Sequence, residues 1–392
     1  MDTETKTIPQ DFQTRGVTMI SSAHAVHDTY TAFLPALLPV LIEKFALSNT
    51  LAGLLSVFLQ IPSLLQPLIG HIADRRNLKL LVIFTPAITG AAMSVLGVAP
   101  GYGVLAFLLV LAGISSAMLH AVGPVLGSSL SGDQLGKGMS FWMVGGELGR
   151  ALGPIIIVTA ISYLSVGYLP WLMVAGVLLS AFLFGKFDGL STMPPIAEEA
   201  RIPWKSAILK MRKVMLPLIF LLFARSMVSA SLTTYLPTFL TNEGSSLWVA
   251  GASLTILEVA GMLGAFLAGS FSDRFGRRRM LAISFALTPI LMLIFIFATN
   301  TLRIPLLVML GFFAISVVPV IMAIVLENAP ENRSLANGIY MASSFILNAF
   351  SILLVGFLSD LMDLRFTFII SAALLPIGLP FIFLLPKSKR QD

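Results

Sequence analysis

The chain consists of long apolar blocks separated by short polar stretches. Most blocks run for about 20 residues, the length that a helix needs to cross a bilayer, and they lack the strict polar and apolar alternation of barrel strands. The pattern therefore predicts an all-α polytopic membrane protein with twelve transmembrane helices. The predicted helices cover residues 17–42, 49–73, 79–98, 103–130, 137–163, 167–186, 214–241, 247–272, 279–299, 304–327, 334–360 and 366–385.

The composition excludes a soluble globular protein. Hydrophobic residues make up 57% of the chain and charged residues 11%, with a mean hydropathy of +0.92, whereas soluble domains carry about 25% charge. Short loops leave no room for a catalytic domain, so we do not expect an enzyme. Cysteine is absent, which excludes disulfides and thiolate metal sites.

The charge distribution predicts the orientation in the membrane. Twenty of the 25 lysines and arginines fall on the face that holds both chain ends, and only Lys44, Arg303 and Arg365 fall on the other. Because basic loops stay in the cytoplasm, we expect a multi-pass inner-membrane protein with cytoplasmic termini. The net charge of +6 then reflects topology and implies no nucleic-acid partner. The N-terminal residues show no signal-peptide pattern.

The longest polar stretch, residues 187–213, divides the chain into predicted six-helix bundles at 1–186 and 214–392. Its second part is typical of a basic amphipathic helix that lies on membrane lipid, with Trp204 at the interface.

The two halves repeat. Three short patterns of the first half recur about 200 residues later, which indicates duplication of a six-helix unit: Leu34-Pro35 and Leu236-Pro237, Ala52-Gly53 and Ala250-Gly251, and Gly70-x-x-x-Asp74-Arg75 and Gly269-x-x-x-Asp273-Arg274. Two bundles around a central cavity are an architecture of alternating access.

The second copy of the last pattern, Gly269-Ser-Phe-Ser-Asp273-Arg274-Phe-Gly276-Arg277, resembles the signature of the major facilitator superfamily. The first copy departs from it at Asn77 and Leu78. The resemblance implies the major facilitator fold. Its glycine allows close helix approach, its aspartate lies near a helix N-terminus and its arginines contact lipid phosphates. We expect a gating clasp on the cytoplasmic side, formed by Gly70, Asp74, Arg75, Gly269, Asp273, Arg274 and Arg277. Gly356-x-x-x-Asp360 has the same spacing, but it falls at the outer end of the eleventh predicted helix and lacks following arginines, so we do not count it as a copy of this signature.

Further motifs resemble the fosmidomycin-resistance branch of drug efflux proteins. They are His24-x-x-x-Asp28, Gln66-Pro67 with Gly70, His120, and Gly145-Gly146-x-x-Gly149-x-x-x-Gly153-Pro154. The resemblance implies export.

Five charged residues fall near the middle of predicted spans, where an ionisable group costs about 2.5–3.5 kcal/mol and is a functional candidate. Asp28, Glu147 and Glu258 are acidic, while Arg150 and Arg225 are basic. One carboxylate therefore lacks a full partner and is expected to bind a proton readily.

Spacing indicates which of these groups interact. His24 and Asp28 lie four apart on one helix face, which favours a proton relay. The alternatives are a structural hydrogen bond or a metal site that includes His27, for which the sequence shows no further clustered ligand. Glu147 and Arg150 lie three apart, and their pair either locks the helix or opens on protonation or on anion binding. Predicted proton-coupling residues are His24, Asp28, Glu147 and Glu258; predicted substrate-binding residues are Arg150, Arg225, His120, Tyr30, Gln60 and Asn348.

The sequence therefore predicts a monomeric, proton-coupled secondary transporter that exports a drug or an anionic metabolite. The proton gradient supplies the energy, and we expect no cofactor or metal. The alternatives are proton-coupled uptake of an organic anion, a lipid-linked flippase and, more remotely, a polytopic membrane transferase.

Overall fold

The computed structural model describes residues 11–73, 78–132, 134–186, 204–328 and 333–386. Within these ranges the chain forms helices and turns and no strand, and twelve segments are long and apolar enough to span a membrane. We number them in chain order as spans 1 to 12: Thr14–Phe45, Asn49–Ile69, Lys79–Val98, Tyr102–Leu130, Lys137–Leu164, Val166–Lys186, Met211–Thr234, Leu247–Ala268, Arg277–Phe297, Thr301–Glu327, Gly338–Met362 and Leu364–Leu384.

The face at which span 1 begins and span 12 ends is called the terminal face below, and the opposite one the distal face. Each half of the chain builds its own apolar core. The core of the second half is centred on large buried rings such as Phe285, Phe295 and Phe368. The core of the first half contains Phe33 and Leu37. The predicted arrangement of two six-helix bundles is confirmed.

The first spans of the two halves are both broken, where the sequence analysis predicted unbroken helices. Span 1 consists of helices Thr14–Thr31 and Phe33–Phe45. In the second half, helix Trp204–Ser229 is followed by a π-helical turn and by helix Leu236–Asn242. Each break precedes a repeated Leu-Pro pair, because a proline ring clashes with the preceding turn and lacks the N–H that a helix needs.

In the described part of the predicted linker, residues 204–213, the amphipathic segment does not form a helix of its own. Helix Trp204–Ser229 begins inside the predicted linker and continues without interruption into span 7. Residues 187–203 lie outside the described residues. The basic residues just before span 7 thus belong to the helix that crosses the membrane.

Glycines bring span 5 against span 1. A Cβ placed on Gly145, Gly149 or Gly153 would lie 2.2–2.4 Å from a backbone oxygen of span 1, so that no larger residue fits at this distance. Small residues spaced by four allow helix backbones to approach in this way. As a result, the polar residues in the middle of span 1 lie beside those of span 5.

The two halves are joined by hydrogen bonds at the distal face. The Tyr235 hydroxyl lies 3.0 Å from the carbonyl oxygen of Asn49 at the start of span 2. The indole N–H of Trp248, at the start of span 8, donates to the Thr159 hydroxyl near the end of span 5 at 3.2 Å. These bonds link the two halves at the distal face.

Asp360 adds a further bond between the halves at the distal face. Its carboxylate accepts from the backbone N–H groups of Asn49 at 2.7 Å and of Thr50 at 2.9 Å, and it also accepts from the Thr50 hydroxyl. The free N–H groups and the positive end of the dipole at a helix N-terminus favour a carboxylate there. Gly356-x-x-x-Asp360 therefore lies at the distal end of span 11, away from the signature on the terminal face, and ties span 11 to span 2.

Candidate functional site

Asp28, in the middle of span 1, is surrounded by three histidines. Its carboxylate oxygens lie 3.3 Å from His24 Nε2, 3.8 Å from His120 Nε2 and 4.0 Å from His27 Nε2. His24 Nε2 and His120 Nε2 lie 3.3 Å apart. The predicted pairing of His24 with Asp28 is confirmed, and the fold adds His120 from span 4. We call these four residues the Asp28 cluster.

Each histidine of the Asp28 cluster uses its other ring nitrogen to bond outside it. His24 Nδ1 lies 2.9 Å from the Trp142 carbonyl oxygen, and His120 Nδ1 lies 2.9 Å from the Ser116 carbonyl oxygen. Because a carbonyl oxygen only accepts hydrogen bonds, both rings carry a proton on Nδ1. Their Nε2 atoms therefore face the carboxylate, where each can hold either a lone pair or a second proton.

His27 is oriented in the same way through a chain of hydroxyls. Its Nδ1 lies 2.9 Å from the Thr89 hydroxyl oxygen, and the Thr89 hydroxyl donates to Ser115 at 2.9 Å. Since that donation uses the Thr89 proton, the oxygen accepts from His27 Nδ1–H. The Nε2 atom of His27 thus also faces Asp28.

Trp142 holds the histidines from the side of span 5. Its ring stacks on His24 with the ring centroids 3.9 Å apart and an interplanar angle of 21°. Gly146, one turn later, leaves room for the same imidazole, because a Cβ there would lie 2.4 Å from His24 Cε1. Sequence reasoning missed Trp142, and the only available signal was its position one turn before a glycine pair.

A second charged group lies next to the Asp28 cluster on span 5. Glu147 and Arg150 form the predicted ion pair, with 19% of the Glu147 side chain and 45% of the Arg150 side chain exposed. Arg150 also interacts electrostatically with Asp28 and with Glu258 of span 8. Glu147 is thus the ion-pair partner of Arg150, while Asp28 and, from the other half, Glu258 add negative charge to its surroundings.

Arg225 supplies the second cation, from span 7. It lines a cavity in the second half together with polar residues, including Ser229, Thr233 and Thr288. Its Nε is buried without a hydrogen-bond partner. The electrostatic surroundings of Arg225 include Tyr340 and, from the other half, Arg150.

The remaining predicted substrate-binding residues are placed differently. Asn348 of span 11 donates to Gln60 of span 2 at 3.1 Å, so this pair bridges the halves. Tyr30 is buried, and its hydroxyl contacts the Leu172 carbonyl oxygen and the Gly176 N–H of the span 6 segment. The hydroxyl of Tyr30 thus holds span 6 and is not directed to the two arginines.

The gating residues of the second half form ion pairs on the terminal face. Arg277 donates to Asp273 at 2.9 Å and to Glu327 at 2.6 Å and 3.0 Å. The clasp therefore joins the ends of spans 8, 9 and 10 within one half. Asp74 and Arg75 of the first copy lie outside the described residues, and the contacts of Gly70 and Gly269 are likewise outside the described part of the structure.

Comparisons with known proteins agree with this architecture. The sequence profile of the Major Facilitator Superfamily matches residues 20–266 and 244–392. The chain is 24% identical over 380 residues to the fosmidomycin resistance protein of Escherichia coli K12, an alignment that covers 95% of this chain and 93% of that protein. It is 25% identical over 385 residues to the MFS-type transporter YfnC of Bacillus subtilis 168, with 95% and 93% covered.

Solved structures show the same fold. A bacterial homologue of the human lysosomal transporter Spinster, in an inward-facing and occupied conformation, superposes with a TM-score of 0.78 at 14% identity, covering 96% of this chain and 97% of that one.

Proposed function

Because the chain belongs to the major facilitator superfamily of transporters, we propose that it exports a small polar molecule with an anionic group in exchange for protons. The observation that carries this proposal is the pair Arg150 and Arg225. They lie on opposite halves, act on each other electrostatically, and Arg225 has a buried Nε without a partner. Guanidinium groups bind carboxylate and phosphate oxygens in bidentate geometry. An anion between them would relieve their repulsion and link the halves.

The proposed proton sites are Glu147 and Glu258. Both interact with Arg150, while Asp28 adds a further negative charge and Arg225 a further positive one. Two carboxylates that share one guanidinium cannot both be fully compensated, so that one of them is the natural acceptor of a proton.

Exchange requires that substrate and proton compete. An anion on Arg150 withdraws that arginine from Glu147 and by itself favours protonation of the carboxylate. Competition arises when the substrate also donates a hydrogen bond or presents a cationic group to the same carboxylate, because protonation removes that acceptor. The proposed substrate therefore combines an anionic group with a donor group, as a hydroxylated or zwitterionic compound does.

Two observations support export as the direction of transport. The basic residues of the terminal face predict that this face is cytoplasmic, and the hydrogen bonds at the distal face describe a state closed to the outside. The full-length similarity to a fosmidomycin resistance protein favours export. Alternation between this state and one open at the distal face would carry the substrate outward.

A second candidate is proton-coupled uptake of an organic anion. Uptake is favoured for a substrate without a donor group. An anion on Arg150 favours protonation of Glu147, so that such a substrate and the proton would bind together. The two candidates differ in the direction in which protons move when substrate is added.

The test uses inside-out membrane vesicles from cells that produce the protein, acidified inside by respiration and followed with a pH-sensitive dye. Fosmidomycin and a panel of other small phosphonates, carboxylates and zwitterions are added in turn. Exchange predicts that a substrate releases protons from the vesicle lumen. Arg225→Gln should abolish this release while leaving acidification intact, with vesicles lacking the protein as a control.

Further acidification of the lumen on addition of the anion would instead identify co-transport. The absence of any proton movement for all compounds, together with unchanged growth of producing cells on the same panel, would contradict proton-coupled transport of this substrate class.

A further inference from the structure

Three imidazole Nε2 atoms and a carboxylate converge at one point of the Asp28 cluster. The three Nδ1 atoms bond elsewhere, to the Trp142 and Ser116 carbonyls or to the Thr89 hydroxyl, so that each unprotonated Nε2 directs its lone pair to this point. His27 is fully buried and its Nε2 has no hydrogen-bond partner. Lone pairs that face one another repel, and a cation between them removes the repulsion.

The distances within the Asp28 cluster fit a transition metal. Nitrogen and oxygen ligands of tetrahedral Zn²⁺ have bonds of about 2.0–2.2 Å, which places neighbouring ligand atoms roughly 3.3–3.6 Å apart. Here His24 Nε2 lies 3.3 Å from Asp28 Oδ2 and 3.3 Å from His120 Nε2, while His120 Nε2 lies 3.8 Å from the other carboxylate oxygen, Asp28 Oδ1. The three ligand atoms all lie within 4.8 Å of one another. Small side-chain rotations suffice to reach a common metal ion.

The outer hydrogen bonds of the cluster are also those of a metal site. Histidines that bind a metal donate their second ring N–H to a carbonyl, carboxylate or water, which fixes the tautomer and aims the ring. His24 and His120 both do so through backbone carbonyls. Spacing along the chain did not reveal a further clustered ligand for a metal site, because His120 lies 96 residues after His24.

We propose that His24, Asp28 and His120 bind one divalent transition-metal ion of the Zn²⁺ type, with His27 as an adjacent acceptor. Imidazole and carboxylate ligands without thiolate suit Zn²⁺, Ni²⁺ or Co²⁺. The His120 side chain is 34% exposed, whereas His24 and Asp28 are buried. One coordination position therefore remains open on the exposed side, for water or for an oxygen of another ligand. This inference does not depend on the proposed function.

The test is metal binding by the purified, full-length protein in detergent, produced with an affinity tag that contains no histidine. The chain has no cysteine and only four histidines, so that few competing ligands exist. Co²⁺ in a tetrahedral site gives visible absorption bands, which Zn²⁺ abolishes when it displaces the cobalt. We expect about one Co²⁺ per chain and a rise in the unfolding temperature with Zn²⁺, since ligands that bind the native state stabilise it.

Variants assign the site. His24→Ala, His120→Ala and Asp28→Asn should each weaken Co²⁺ affinity more than tenfold, because loss of even an outer hydrogen-bond partner costs 10–100-fold. His71→Ala, which removes the only histidine outside the cluster, should bind like the unmodified protein.

Three results would overturn the proposal. The first is that the unmodified protein shows neither Co²⁺ bands nor a Zn²⁺-dependent rise in unfolding temperature. The second is that His24→Ala and His120→Ala bind Co²⁺ as tightly as the unmodified protein, and the third is that His71→Ala loses binding. If His24→Ala or His120→Ala does not fold, His24→Gln or His120→Gln takes its place, because the amide keeps most of the side-chain volume while it removes the imidazole ligand. Absence of the Co²⁺ bands and of the Zn²⁺ effect in the unmodified protein would mean that the Asp28 cluster binds protons and no metal ion.

Discussion

Arg150 is the residue on which the proposed transport depends most. It pairs with Glu147 on its own helix, interacts with Glu258 across the halves and with Asp28 on span 1, and repels Arg225. A group with this many partners can exchange one for another at little cost, since each lost ion pair is replaced by the next. An anion that binds between the arginines thereby changes the electrostatic balance of both carboxylates.

Arg225→Lys should weaken binding of an anionic substrate by about tenfold, because the ammonium group keeps the charge but lacks the planar fork of a guanidinium. The measurement is substrate binding to purified protein by calorimetry. Arg212→Lys, at the exposed start of the same helix, is the matched control and should bind normally. Equal affinity in the two variants would exclude bidentate recognition by Arg225.

The pairwise contacts that sequence reasoning predicted are those between neighbours on one helix. His24 with Asp28 and Glu147 with Arg150 are neighbours on one helix, and their spacing alone brings them together. His120, Trp142 and the Thr89 hydroxyl join them only through the packing of spans 3, 4 and 5, and helical spacing carries no information about that packing. Tyr30 shows the same limit, because its position on the helix did not reveal that its hydroxyl bonds to the backbone of span 6.

At the scale of elements, the contact between spans 1 and 5 places the two charged groups side by side. It depends on glycines whose Cα atoms face a neighbouring backbone. The glycine pattern predicted close packing in span 5, but it did not show which helix approaches it.

Gly149→Ala tests this contact, because its Cβ would lie 2.2 Å from the Ala25 carbonyl oxygen. Overpacking of this kind costs about 1–3 kcal/mol, so that we expect a lower unfolding temperature of the purified protein. Gly185→Ala is the control, since a Cβ there meets nothing within 4 Å. An undiminished unfolding temperature in Gly149→Ala would show that the helices do not approach as described.

The hydrogen bonds of Asp360 to the start of span 2 should stabilise the state closed at the distal face. Asp360→Ala should therefore shift the protein towards opening on that side. In a Thr159→Cys and Trp248→Cys background, where the introduced cysteines are the only thiols, Asp360→Ala should lower the yield of cross-linking across the halves. Asp363→Ala removes a carboxylate that caps its own helix through the Phe366 N–H, and the cross-linking yield should stay unchanged. A yield that drops equally in both variants would assign the effect to local unfolding.

Hydropathy predicted all twelve spans, because the bilayer requires long apolar helices whatever their packing. The Leu-Pro pairs were recognised as a repeat, but their effect as helix breaks was not predicted. The helix that starts at Trp204 was misjudged as separate, because its basic residues mask its continuity with the apolar residues that follow.

At the scale of the whole molecule, the basic residues of the distal face bear on the orientation in the membrane. The basic residues of the distal face are held by partners: Lys44 donates to the Gly97 and Ala99 carbonyl oxygens, and Arg303 and Arg365 both contact Glu243. These residues are thus compensated within the protein, which fits an external distal face.

The orientation is tested by labelling single cysteines in intact cells with a membrane-impermeant maleimide. Asn242→Cys, at the distal face, should react without permeabilisation. Arg279→Cys, exposed at the terminal face, should react only after permeabilisation. The reverse pattern would contradict cytoplasmic termini.

The most direct test of proton exchange is accumulation of an identified substrate by proteoliposomes under an imposed pH gradient. Exchange predicts accumulation when the lumen is more acidic than the medium, and Glu147→Gln should abolish this accumulation while substrate counterflow without a gradient continues. Accumulation only with an acidic medium, or undiminished gradient-driven accumulation in Glu147→Gln, would contradict the account.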